Sequence, residues 1–231
     1  MPREISVINP RSFCPQCKST LRWYDLIPIL SYILLKRRCR NCNATISFRY
    51  PLIEAACGTF FLTAYILDGL TGKFVLACIL SVILVSIFLI DWSYLVVPNS
   101  LVIVGISLTT IVLSFSPAEL LLALESGSLA MLLVFLLRVV SNFLFRKDTM
   151  GIGDIKLSFL VGSLLGMQNF FLALWTAAIL GCIYWVAKYK SSTLATSIKL
   201  PFGSFLSLTS YVIFLFSNQI NDVLRWMILP Q

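Results

Sequence analysis

The stretch Phe74-Val-Leu-Ala-Cys-Ile-Leu-Ser-Val-Ile-Leu-Val-Ser-Ile-Phe-Leu-Ile90 carries no charge, and it ends on Asp91. At about 1.5 Å per residue, a helix over it approaches the thickness of a bilayer core. The same pattern recurs on both sides. Roughly seven spans can be read, over 51–67, 74–90, 98–115, 127–145, 156–168, 169–187 and 202–217. The fifth is short and reads as tilted or partly re-entrant. The tail from Val223 to Leu229 is apolar but too short to cross, and reads as interfacial.

Composition agrees. Of 231 residues, 58% are hydrophobic and 12% are charged, with a mean hydropathy of +0.91. A soluble domain of this size needs more polar surface, so the chain reads as an all-α polytopic membrane protein. Backbone in lipid must satisfy its own hydrogen bonds, which makes the apolar runs helices. Histidine is absent. That excludes Ser-His-Asp triads, Cys-His pairs and histidine metal sites.

Charge placement sets the expected orientation. Nine of the 18 Lys and Arg lie in residues 1 to 50. A basic patch can serve nucleic acid, but a cytoplasmic loop flanking a membrane explains it more simply, and no nucleic-acid partner is expected. With residues 1–50 in the cytoplasm, Arg146, Lys147, Lys156, Lys188, Lys190 and Lys199 join them, giving 15 basic residues on that side. Lys73 and Arg225 fall outside, and Arg138, within a span, is expected to snorkel. This topology puts Asp91 and Asp154 both at cytoplasmic helix ends. The chain shows no secretory signal at its start, where residues 1–25 lack an apolar core.

Two domains are expected: a cytoplasmic cysteine-rich loop over 1–50 and a multispan membrane domain over 51–231. The loop contains Cys14-Pro-Gln-Cys17 and Cys39-Arg-Asn-Cys42. Four thiolates in two C-x2-C knuckles suit structural tetrahedral zinc. Disulfides are seldom kept in the cytoplasm, which makes zinc the preferred reading, with empty reduced knuckles as the alternative. Cys57, Cys78 and Cys182 read as small packing residues within spans. The run from Leu21 to Leu35 is too apolar for a free loop and reads as an amphipathic element on the membrane surface.

Chemistry concentrates at Gly151-Ile-Gly153-Asp154-Ile-Lys156. Glycines beside an aspartate remove bulk and let a peptide backbone approach the carboxylate. A partner carboxylate, Asp91, permits division of labour, one group taking a proton from water and the other donating to a scissile carbonyl oxygen. Two close carboxylates do not both ionise easily, so their protonation couples. Such a pair hydrolyses peptide bonds without His, Ser or metal. Each aspartate alone also reads as a helix-end group solvated among headgroups. Lys156 reads as a positive-inside anchor or as a cation acting on the carboxylates, the anchor being preferred. Glu54, one turn into the first span, either positions cofactor or substrate or snorkels to the interface.

Together these runs resemble the type IV prepilin leader peptidases, a family of membrane aspartic proteases. The resemblance is carried by Pro10-Arg-Ser-Phe-Cys-Pro-Gln-Cys17, Trp23-Tyr-Asp-Leu-Ile-Pro-Ile-Leu-Ser-Tyr32, Arg38-Cys-Arg-Asn-Cys42 and Ile46-Ser-Phe-Arg-Tyr-Pro-Leu-Ile-Glu54. It continues through Ile90-Asp91-Trp with Val97-Pro98-Asn99, Met150-Gly-Ile-Gly-Asp154-Ile-Lys-Leu, and Leu200-Pro-Phe-Gly-Ser-Phe-Leu206, where Ser204 replaces a usual proline. It covers most of the chain. It implies an enzyme of the bacterial cytoplasmic membrane that cuts basic leaders from type IV prepilins and pseudopilins at the cytoplasmic face, with Asp91 and Asp154 as the catalytic pair. Many members also methylate the new N-terminus with S-adenosylmethionine, an activity associated with the cysteine loop. The YPLIE run favours a cofactor-positioning role for Glu54.

One departure stands out. The family usually has eight spans, the first preceding the loop, whereas Met1-Pro-Arg-Glu-Ile-Ser starts where that span would end. Methyltransferase activity is therefore expected to be weak or absent. The brevity of the loop leans toward a competence role. Two other classes compete: a non-enzymatic scaffold using its zinc loop in a secretion or competence assembly, and a proton-coupled transporter. A scaffold tolerates Asn at either aspartate. A transporter favours midplane carboxylates and internal repeats, and neither is evident.

Overall fold

The computed structural model describes residues 12–146, 148–191 and 200–228. Arg3, Pro10, Arg11, Lys147, Lys199 and Leu229 lie outside the described residues, as do the side chains of Lys190 and Arg225. The described residues are helical with no strand, apart from two isolated bridges, Phe13 with Thr20 and Arg38 with Thr45. The chain divides into two compact units, Met1–Leu62 and Thr63–Gln231.

The first unit holds a 3-10 turn (Trp23–Leu26), the short helix α1 (Leu30–Leu34) and most of α2 (Arg49–Asp68). Its two cysteine knuckles are built alike. Cys14 N–H donates to Ser19 O at 3.0 Å and Lys18 N–H to Cys14 O at 2.9 Å; Cys39 N–H donates to Ala44 O at 2.8 Å and Asn43 N–H to Cys39 O at 3.0 Å. Lys18 and Asn43 both adopt φ 56°, the left-handed residue that closes each turn. Between the knuckles, Trp23, Leu26, Leu30, Ile33 and Leu34 are all exposed. The run expected to be one amphipathic element is split between a 3-10 turn and one short helix, with its apolar side chains exposed.

The second unit contains α3 (Gly72–Tyr94), α4 (Asn99–Leu113), α5 (Pro117–Phe145), α6 (Ile152–Ser191), α7 (Phe202–Leu215) and α8 (Ser217–Ile228). Among the described residues, four helices, counting α2 with α3, α5 and α6, are long and apolar enough to cross a membrane; α4 and α7 are shorter apolar helices. The two spans read over 156–168 and 169–187 are one helical run, broken at Gly166, where φ 74° and ψ 164° leave the helix. That conformation suits glycine and little else. Counting the two sides of this break separately gives the seven apolar segments expected. Helix α5 starts ten residues before the span read at 127, so residues 117–126, between the spans read over 98–115 and 127–145, are helical. Pro117 near the N-terminus and Glu119 in the first turn explain this, since both favour a helix start.

Lipid is as apolar as leucine, so helices here associate through close packing and polar contacts rather than water expulsion. Helix α5 meets α6 where glycines allow it. A Cβ on Gly162 would lie 2.5 Å from Ala130 Cβ and 2.8 Å from Ser126 O, and one on Gly127 would collide with Ser163 Oγ. Thr209 Oγ1 on α7 lies 3.1 Å from Ala173 O on α6, a hydrogen bond between helices. The core formed by α3, α6 and α7 includes Leu80, Leu84, Ile87, Leu157, Leu160, Leu206 and Tyr211. Outward faces carry exposed Leu121, Phe135, Phe143 and Ile179, as a lipid-facing surface would. Cys182 is also exposed, not packed within the helices as expected, while Cys57 and Cys78 are half-buried.

Candidate active site

Asp91 sits in the last turn of α3. Leu95 ends that helix in the left-handed conformation (φ 56°), its N–H donating to Asp91 O at 2.8 Å. The chain then passes through Val97 and Pro98 into α4. Asp154 sits in the first turn of α6, three residues after Gly151, whose N–H donates to Asp154 Oδ2 at 3.2 Å. This is half of a capping box: an acidic side chain folding back on a free amide at the helix start. The Gly-x-x-Asp spacing thus places the carboxylate by a local rule. Both side chains are buried, with Asp91 4% and Asp154 8% exposed.

The element that joins them is the start of α7. Ser204 N–H donates to Asp91 Oδ2 at 2.6 Å, and Ser204 Oγ lies 2.9 Å from that oxygen and 3.0 Å from Phe88 O. Amides in the first turn of a helix have no partner within it, and here a carboxylate takes one. The preceding residue, Gly203, lies between the aspartates. A Cβ there would be 3.0 Å from Asp154 Oδ1, 3.1 Å from Asp91 Oδ2 and 2.9 Å from Val97 Cγ2. One methyl group at Gly203 would therefore touch both carboxylates. Gly153 has a similar constraint, since its Cβ would lie 2.8 Å from Val97 Cβ, whereas one on Gly151 would make ordinary contact with Asp154 Oδ2 at 3.4 Å. Lys156 is exposed and donates to Asn99 Oδ1 at 3.0 Å, linking α6 to the start of α4.

In the first unit, the sulfurs of Cys14, Cys17, Cys39 and Cys42 all lie within 4.8 Å of one another, and Cys14 and Cys42 are 3.8 Å apart. Zinc–sulfur bonds of about 2.3 Å put tetrahedral ligands about 3.8 Å apart, so four thiolates here fit a zinc ion. All four are free cysteines. The hydroxyl of Ser19, 2.9 Å from Cys17 Sγ, together with its amide, pulls the Cys17 thiol down to about 6. Amides of Cys42 and Asn41 lower Cys39 as well. Cys42 is favoured as thiolate by the Ala44 amide, but burial and its neighbouring thiols outweigh this and push it up to about 11. Two of the four thiols are thus set toward the form a metal binds.

Glu54 lies in the same unit, where its Oε2 accepts from Ile29 N–H at 2.7 Å. Ile29 has φ 59°, which a β-branched residue rarely adopts, and it precedes α1. Glu54 therefore holds a strained turn, a partner its sequence did not reveal. Glu54 also lines a cavity of about 990 Å³ together with Cys14, Cys39, Tyr32 and Tyr50. Asp25 and Arg40, paired at 2.8 Å, form part of its wall.

The chain is similar to known proteins over most of its length. Residues 1–67 match the bacterial peptidase A24 N-terminal domain, and residues 78–186 match the type IV leader peptidase family. The type 4 prepilin-like proteins leader peptide-processing enzyme of Escherichia coli O78:H11 is 34% identical over 89% of this chain and 75% of its own length. The prepilin leader peptidase/N-methyltransferase of Vibrio cholerae is 32% identical, covering 94% of this chain and 88% of the relative.

The chain belongs to the type IV leader peptidase family.

The prepilin leader peptidase/N-methyltransferase of Bacillus subtilis is similarly related, at 30% identity over 95% of this chain and 87% of its own. No solved structure matches the chain. This leader peptidase family member is accordingly an enzyme, a protease, with membrane-spanning helices and a cysteine cluster able to hold a metal. Sequence reasoning passed over two of the residues nearest its aspartates. Gly203 and Ser204 were legible only as part of a familiar run, and nothing in their local pattern signals a position between carboxylates 63 residues apart in the chain.

Proposed function

We propose that Asp91 and Asp154 are the catalytic pair of an aspartic endopeptidase that removes leader peptides from type IV prepilins or pseudopilins at the cytoplasmic face. The observation that carries this reading is the site of Gly203, where a single methyl group would touch both carboxylates. Acid–base hydrolysis needs that separation. An ionised carboxylate takes a proton from a water, whose oxygen attacks the scissile carbonyl carbon, while the protonated carboxyl donates to the carbonyl oxygen. The resulting tetrahedral diol collapses: its C–N bond breaks, the departing nitrogen takes the proton that the first carboxylate gained from water, and a diol hydroxyl returns its proton to the second carboxylate. Gly151 serves this site by donating its N–H to Asp154, Gly153 by letting the start of α6 approach Val97, and Lys156 by tying the start of α6 to Asn99. The excess of Lys and Arg flanking the proposed inner ends supports a cytoplasmic site in a bacterial inner membrane.

Residues 1–50 form, in this reading, a zinc-bearing loop, with 51–231 as the peptidase domain. The tetrahedral sulfur spacing supports structural zinc. The cavity lined by Glu54 supports S-adenosylmethionine as a ligand of the same unit, since relatives are named N-methyltransferases.

Co-expression with a prepilin tests the peptidase reading by the mass of the pilin. Wild type shortens the prepilin, and Asp91→Asn and Asp154→Asn, at equal expression, leave it intact. Cleavage surviving either substitution overturns the paired-carboxylate reading. Labelled methyl transfer to the mature pilin, absent in Glu54→Gln, tests the cofactor reading.

A further inference from the structure

We propose that the last turns of α5 clasp the segment leading into α6, and that Asn142 is a positioning residue for Asp154. This rests on reading Asp154 as catalytic. Helix α5 ends at Phe145, and Arg146 turns the chain with φ 52°. Asp148 and Thr149 are bound back onto the helix that precedes them. Asn142 Oδ1 accepts from both the backbone N–H and the hydroxyl of Thr149, each at 2.9 Å, and Asn142 Nδ2 donates to Asp148 Oδ1 at 3.3 Å. Arg138 Nη2 reaches the same Asp148 oxygen at 3.5 Å, and Ser141 Oγ lies 2.5 Å from Thr149 Oγ1.

These contacts differ in what they can do. Asp148 is 87% exposed on its side chain, so its ion pair with Arg138 contributes little. The bond from Thr149 N–H to Asn142 is different, because it fixes backbone. Thr149 stands two residues before Gly151, whose own amide holds Asp154 Oδ2. Lower down, α5 is locked on α6 by the close approach at Gly127 and Gly162. The clasp therefore ties the Asp154-bearing turn to a helix already fixed against the rest of α6. Without it, the turn keeps the Lys156–Asn99 bond and its packing on Val97 but loses its hydrogen-bonded tie to α5. Misplacing a reacting group by about 1 Å can cost about 100-fold in rate.

The test uses the full chain in detergent with a purified prepilin, comparing Asn142→Ala, Thr149→Val, Thr149→Ser and Asp154→Asn. Expected for Asn142→Ala is a fall in kcat of at least about tenfold with KM within about twofold, because the substitution acts on the placement of the carboxylate and removes no group at the aspartate pair. Thr149→Val, which keeps the backbone bond and loses the hydroxyl, shows a smaller fall of about threefold, and Thr149→Ser restores the wild-type rate. An Asn142→Ala enzyme with kcat within about twofold of wild type overturns the clasp. So does a loss fully matched by a lower folded fraction in thermal unfolding, or a Thr149→Ser enzyme no better than Thr149→Val. An Asp154→Asn enzyme that still cleaves overturns the catalytic reading itself, and the clasp's role with it. An inactive Asp154→Asn beside a fully active Asn142→Ala removes the clasp alone.

Discussion

The cysteine knuckles and the aspartate pair are both constellations of a few side chains, yet they are assembled by opposite means. Each knuckle closes within a few residues, through one left-handed position, Lys18 or Asn43, and a short bridge. The aspartates come from two helices and are brought together by a third, with Ser204 bonded to Asp91 from 113 residues away. A site made of local turns needs only its own sequence and a metal. A site made by helix packing depends on every helix that sets the spacing. The two should therefore fail in different ways when perturbed.

The largest effect falls on the carboxylates. Asp91→Asn or Asp154→Asn removes a proton acceptor or donor that nothing nearby replaces, and cleavage falls by at least about 1,000-fold in a prepilin assay, as loss of a general acid or base does. A residual rate within tenfold of wild type would mean that the pair is structural, like the cysteines, and the contrast between the two regions would collapse.

Next is Gly203→Ala. The new methyl would stand 3.0 and 3.1 Å from the two carboxylates and 2.9 Å from Val97 Cγ2. Overpacking of this kind costs about 1–3 kcal/mol, and the strain falls on the two carboxylates themselves. A loss of about 100-fold in kcat with α-helical content unchanged is expected. Normal cleavage would show that the carboxylates work at a wider separation than the structure gives.

Ser204→Ala has a smaller effect. It removes one of two donors to Asp91 Oδ2 and keeps the backbone N–H at 2.6 Å. A hydrogen bond to a charged group contributes about 1.5–3 kcal/mol, and the retained amide offsets part of it, so kcat falls about tenfold. Ser204→Thr, which keeps the hydroxyl, should recover most of the rate. If Ser204→Ala is unimpaired, the amide of α7 alone orients Asp91, which sharpens the view that helix packing, not side-chain chemistry, builds this site.

What could be read in advance follows the same division. Cys14, Cys17, Cys39 and Cys42 announced a metal-type cluster because a knuckle is a property of four consecutive residues. Asp154 was legible as a carboxylate flanked by Gly151 and Gly153 at the mouth of an apolar run, whereas its bond from the Gly151 amide is a feature of the folded helix start. The apolar segments were legible from composition, but their ends were not always. Pro117 starts α5 earlier than hydropathy suggested, and two expected spans proved to be one helical run broken at Gly166. The position of Gly203 and the donors of Ser204 could not be read at all, because both depend on how α7 lies against α3. Glu54 shows the same limit within the smaller unit, since its bond to Ile29 crosses 25 residues.

The smallest effect on cleavage is expected from removing the zinc proposed for the four cysteines. Structural zinc in small cysteine modules contributes about 10–16 kcal/mol to their folding, so chelation, or Cys39→Ser, should abolish protection of the Cys14–Cys42 region in hydrogen exchange. Every residue named at the aspartate pair lies in Thr63–Gln231, beyond the unit that holds the cysteines. Cleavage should accordingly stay within about threefold of the untreated enzyme, while any methyl transfer that uses the Glu54 cavity is lost with the fold of its wall. Zinc content, exchange protection and cleavage rate measured on one chelated sample decide the matter. If protection persists with zinc gone, the knuckles stand on their backbone turns alone. If cleavage collapses together with protection, the metal-bound turns are supporting the aspartates, and the separation between a local site and a packed one does not hold in this enzyme.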